Sequence, residues 1–119
     1  MKKSLLFILG FILISITSCE YKFIDPLEIT LPAGPVIFST QIEPVFQDKC
    51  VTCHASTNPI LTTGNAYNSL INGNYINTTD PESSALYQKV SEGHPGGNSL
   101  SAVELAVILK WITDGAENN

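Results

Sequence analysis

Cys50-Val51-Thr52-Cys53-His54 is the run of side chains best equipped for chemistry: two thiols three positions apart, followed at once by an imidazole. Three chemistries use such a set. The thiols can join as a disulfide or thioredoxin-like redox pair, the thiolates and imidazole can take zinc, or both thiols can add across the vinyl groups of a c-type haem. In the last case the following histidine gives its imidazole to iron. A redox pair wants a preceding strand and a βαβ setting, which this chain lacks. Zinc needs a fourth ligand, and only His94, the other histidine, or a carboxylate remains. Haem attachment uses every residue of the motif at its own spacing, and shuffling this composition produces Cys-x-x-Cys-His in about one chain in a thousand. The expectation is one covalent haem c, held by Cys50 and Cys53, with His54 as proximal iron ligand.

Covalent haem attachment takes place outside the cytoplasm in bacteria, and the N-terminus carries an export signal. Met1-Lys2-Lys3 is a positive start, and Leu5 to Ile16 is an apolar run interrupted only by Gly10 and Ser15. Spanning a bilayer takes about 20 apolar residues. The shorter run fits the hydrophobic part of a secretory signal, against the alternatives of a buried helix or a membrane anchor. Ile16-Thr17-Ser18-Cys19 resembles the lipobox of bacterial lipoproteins. That resemblance implies cleavage before Cys19 and a thioether-linked diacylglycerol on its sulfur. Several acyl chains, at ~0.8 kcal/mol per buried CH₂, hold such a protein on a membrane. It also accounts for the odd cysteine, leaving Cys50 and Cys53 as a pair. The expected organisation is a signal peptide over 1–18, a lipid-anchored tether over 19–38 and a haem-carrying domain over 39–119. The expected location is the periplasmic face of the inner or outer membrane, or the cell surface.

With 119 residues there is room for one small domain, and 44% hydrophobic residues exclude a wholly disordered chain. Six Lys and no Arg give a net charge of −5; without Lys2 and Lys3, four Lys face eleven acids. Such a chain makes a poor nucleic-acid binder, so no nucleic-acid partner is expected, and its acidic surface suits a redox partner with a basic docking patch. No catalytic nucleophile–histidine–acid constellation emerges, so no catalytic residue and no small-molecule substrate are expected. Asn77-Thr78-Thr79 fits a glycosylation sequon and is discounted in a bacterial lipoprotein.

Three helices must position these groups. The first opens at Thr40 with Glu43 as a capping box, carries Ile42, Val45 and Phe46 on one face, and tolerates Pro44 in its first turn. The second opens at Asp80 with Pro81 behind it and carries Leu86, Tyr87 and Val90. The third opens at Ser101 with Glu104 in capping-box position, runs through Trp111 and Ile112, and stops at Gly115. A shorter turn over Ala66 to Ile71 is weakened by Gly64, Gly73 and several Asn. Upstream, Pro26, Pro32, Gly34 and Pro35 read as an extended tether ending in a strand-like Val36-Ile37-Phe38, with Phe23, Ile24 and Ile29 apolar enough to pack in part on the domain. The fold class is all-α with loops.

Over about residues 38 to 116 the chain resembles the class I cytochrome c fold of small monohaem bacterial lipoproteins. The shared pieces are Ile42-Glu43-Pro44-Val45-Phe46 before the motif, Asp80 through Tyr87, Leu100-Ser101-Ala102-Val103-Glu104, and Trp111-Ile112-Thr113-Asp114-Gly115-Ala116. The resemblance implies three main helices around one covalent haem, the first and last crossing on one side with Phe46 and Trp111 packed near the crossing. It also implies a proline carbonyl accepting a hydrogen bond from the proximal His Nδ1–H, for which Pro59 is the candidate. Relatives usually carry a distal Met before the last helix. Beyond Met1 this chain has none, and Ser91-Glu92-Gly93-His94-Pro95-Gly96-Gly97 stands in that place, making His94 the expected distal iron ligand. A His54/His94 pair implies a lower potential than a His/Met pair. The function expected is one-electron transfer between redox partners, a carrier rather than a catalyst. The alternatives are a haem enzyme or gas- or peroxide-binding sensor with an open or displaceable distal site, and a haem-free lipoprotein with a Cys50–Cys53 disulfide.

Overall fold

The computed structural model describes residues 29–94 and 100–119. The signal peptide, Cys19, the first part of the tether, and Gly96 and Gly97 lie outside the described residues. Within them the chain is helical, with no strand. A π-helical turn over Phe38–Ile42 leads into α1 (Glu43–Lys49), followed by α2 (Val51–His54) and α3 (Ala66–Asn72). A 3₁₀ turn over Pro81–Ser83 precedes α4 (Ala85–Ser91), and α5 (Ala102–Thr113) is the longest element. No described helix is long and apolar enough to cross a membrane.

The last helix is built by local signals at both ends. Ser101 Oγ accepts from Glu104 N–H at 3.2 Å while the Glu104 carboxylate accepts from Ser101 N–H at 2.6 Å, the reciprocal capping box. At the other end Gly115, at φ 109°, takes the left-handed conformation that costs glycine least. Gly115 N–H then bonds Ile112 O and Ala116 N–H bonds Trp111 O, closing the orphan carbonyls of the final turn.

The entry to the first helix differs from the sequence expectation. Thr40 and Glu43 form no capping box. The helical path begins at Phe38, where Ile37 N–H is satisfied by Gln41 Oε1 at 2.8 Å, and Glu43 Oε1 instead accepts from Gly64 N–H at 2.8 Å. Val36-Ile37-Phe38 is not a strand. Val36 and Phe38 are buried in the core, and their backbone is held by the far end of the chain: Val36 N–H donates to Asp114 Oδ2 at 3.2 Å, Phe38 N–H to Asn119 Oδ1 at 2.6 Å and Ser39 N–H to Asn119 O at 3.1 Å.

The second helix is also shorter than expected. Asp80 and Pro81 start only the 3₁₀ turn, and the chain turns extended at Ser84 before α4 begins at Ala85. The reason is a second claim on this segment. Ser84 is buried, its Oγ accepts from Asn77 N–H at 2.9 Å, and Leu86 N–H reaches back to Tyr75 O.

The core gathers Val36, Phe38, Ile42, Phe46, Leu61, Ala66, Leu70, Leu86, Ile108, Trp111, Ile112 and Ala116. Phe38 is its aromatic hub. Its ring centre lies 5.2 Å from that of Trp111, 5.4 Å from Tyr67 edge-on and 6.4 Å from Phe46. Phe46 and Trp111 are thus joined through Phe38, and it is the π-helical turn that packs on α5. We expect Phe38→Ala to cost ~3–5 kcal/mol in urea unfolding, whereas Ile37→Ala, at an exposed neighbour, stays within ~0.5 kcal/mol.

The Asp114 carboxylate, which also takes Val36 N–H, is held below the usual carboxylate range chiefly by its hydrogen bond from Lys110. A depressed folded-state pKa adds stability that is present at neutral pH and is lost as pH falls through that lowered value. Asp114→Asn should therefore lower stability at neutral pH and flatten its decline in acid, as read by thermal melts across pH.

Candidate functional site

The turn that follows α1 brings the two thiols together with His54. Cys50 N–H bonds Phe46 O, the last link of α1, and Cys50 O then accepts from both Cys53 N–H at 3.2 Å and His54 N–H at 3.0 Å. Cys50 caps the four-residue helix Val51–His54, so Cys53 and His54, three and four positions on, return to its side of the turn. Cys50 is half-buried against the core and Cys53 is exposed, and both are free thiols. Burial pushes the Cys50 thiol up, and the nearby Glu104 carboxylate on α5 adds to the shift.

His54 is held by its backbone and its ring. Its carbonyl accepts from Leu61 N–H at 2.8 Å. Its Nδ1 lies 2.9 Å from Pro59 O and 3.2 Å from Thr57 O. A backbone carbonyl can only accept, so Nδ1 carries a proton, and the neutral tautomer this selects has its lone pair on Nε2. The Asn58–Pro59 peptide that presents the nearer carbonyl is cis.

His94 comes from a part of the chain forty residues further on. Helix α4 ends at Ser91, and Gly93, at φ 82°, turns the chain so that His94 follows on an exposed loop. The two imidazoles meet with ring centres 5.8 Å apart and planes at 77°. The structure therefore brings together Cys50, Cys53, His54, Pro59 and His94, while Cys19 lies outside the described residues. Sequence reasoning passed over Thr57, a second carbonyl beside His54, because a backbone acceptor leaves no mark in residue type. It also passed over Glu104 as a charge near Cys50, since its capping role accounted for it.

Among the described residues no group of three or more His, Cys, Asp or Glu side chains gathers to hold a metal ion. No protein-family model, curated protein or solved structure matches the chain.

The two free thiols give a direct test. Exposed Cys53 should react with iodoacetamide faster than half-buried Cys50. Glu104→Gln removes the anion that disfavours the Cys50 thiolate but keeps a side chain able to close the capping box. It should speed Cys50 alkylation with little change in melting temperature; peptide mass mapping over a time course reads both rates.

Proposed function

We propose that this chain is a membrane-tethered monohaem c-type cytochrome of class I fold, passing single electrons between redox partners outside the cytoplasm. The observation that carries the reading is the setting of His54. It directly follows two free thiols, its Nδ1 proton is engaged by a carbonyl, and a second imidazole stands 5.8 Å away. Two imidazoles sharing one metal at ~2 Å from each nitrogen place their ring centres ~6 Å apart. The donor set fits a porphyrin, which brings four nitrogens and asks the protein only for axial ligands.

In this reading Cys50 and Cys53 would hold the group through thioether bonds, and His54 and His94 would offer their imidazoles to its iron. A haem supplies reversible one-electron chemistry at iron when bound. The chain does the rest. The Pro59 carbonyl orients His54 and raises its basicity, and two imidazoles favour the ferric state more than a thioether ligand would. Half-buried Val45, Val90, Leu100 and Val107 adjoin the core. They offer the apolar surroundings that a prosthetic group needs in so small a domain. The acidic surplus favours a partner with a basic docking patch. Cys19 carries lipid, and the segment from 19 onward tethers the domain to the membrane.

The exposed position of His94 favours a second reading, a gas- or peroxide-binding haem protein whose distal histidine is displaced by the ligand. One experiment separates the two: the optical spectrum of the reduced protein before and after carbon monoxide, on protein expressed with haem-attachment machinery. A low-spin spectrum unmoved by the gas is the expected result, and His94→Ala should then bind carbon monoxide promptly. A Soret shift in the wild type would select the second reading. Absence of haem stain on a denaturing gel would refute both and leave the haem-free disulfide lipoprotein.

A further inference from the structure

One Nδ1–H on His54 faces two carbonyls, and the loop between α2 and α3 decides which takes it. The nearer acceptor is anchored on its C-terminal side. Ile60 N–H donates to Ser69 Oγ at 2.7 Å, and Leu61 N–H donates to His54 O at 2.8 Å. Leu61 O in turn accepts from Gln47 Nε2 at 2.8 Å. Ser69 projects from α3 and Gln47 from α1, so two helices grip the residues immediately after Pro59. The Thr57 carbonyl, at 3.2 Å, belongs to an exposed stretch over 55–58.

We propose that Ser69 and Gln47 are positioning residues that hold the Pro59 carbonyl on His54 and thereby lower the redox potential of the iron. The inference rests on the haem reading above. Neither side chain bonds the imidazole; each acts by fixing the backbone that carries its acceptor. A carbonyl held close to Nδ1–H draws the proton and leaves more electron density at Nε2, and a more basic axial ligand stabilises ferric over ferrous iron. Removing the Ser69 hydroxyl leaves Ile60 N–H without this acceptor and lets the loop relax, so the ring proton is shared with the more distant Thr57 carbonyl.

The test is a potentiometric titration of the holoprotein and three variants, followed optically, with the His54 Nδ1–H proton resonance recorded in the reduced state. Ser69→Ala should raise the midpoint potential, lowering the ferric-to-ferrous ratio at fixed poise about fivefold, ~40 mV at 59 mV per decade. The Nδ1–H resonance should move upfield. Ser69→Thr keeps the hydroxyl and should restore both readouts, a recovery that a merely structural role in the helix does not require. Gln47→Ala should shift both in the same direction as Ser69→Ala, and decides the matter alone if Ser69→Ala does not fold. Unchanged potentials in variants that carry haem and keep the wild-type spectrum would overturn the inference and leave the function standing. A Ser69→Thr shift equal to that of Ser69→Ala would also overturn it. A wild-type chain without haem would overturn both.

Discussion

A fully buried indole has one N–H to satisfy, and the way Trp111 does so organises the domain. Its Nε1 donates to Glu117 O at 2.9 Å, a carbonyl reached only because the chain reverses at Gly115. Leaving that donor unpaired would cost ~1–3 kcal/mol. The reversal lays Ala116 into the core and carries Asn119 back to Val36, Phe38 and Ser39. Phe38, clasped there, presses on the indole and on Tyr67, and the π-helical turn it opens runs straight into α1 and the two thiols. The position of His54 thus descends, through a few packed rings, from the end of the last helix.

The parts of this arrangement that can be read in the chain are those whose partners are close in sequence. Ser101 and Glu104 cap each other across three residues, Gly115 stops the helix it follows, and Cys50, Cys53 and His54 form one contiguous motif. Where a distant partner competes, local logic gives way. Glu43 has the spacing of a capping box but serves Gly64, and Asp80-Pro81 has the form of a helix start but is interrupted by the bonds between Ser84 and Asn77. Phe38 looks like the end of a tether because its burial depends on Asn119 and Trp111, which no local pattern announces. Ser69 and Gln47 carry no motif at all; their roles come from where α3 and α1 are packed.

The two imidazoles of the candidate site are carried by different parts of the chain. His54 is tied by its carbonyl and its ring to a loop that two helices hold from either side. His94 stands on an exposed loop, with a left-handed glycine separating it from α4. An electron carrier needs ligands that move little between oxidation states, and a sensor needs one that can leave. Under the haem reading proposed above, the choice between those two roles falls on the segment that carries His94.

The meeting of residues 36–39 with Asn119 has a mechanical meaning as well. Under the tethered reading, any pull from the membrane enters the domain at Val36. There the backbone is stitched crosswise to Asp114 and Asn119 by Val36, Phe38 and Ser39 N–H donors, and Asn119 Nδ2 returns a bond to Val36 O at 3.4 Å. Tension along the tether therefore loads this stitch before it reaches α1. The imidazole pair sits beyond it, shielded from drag on the anchor as a mooring cleat shields the deck behind it.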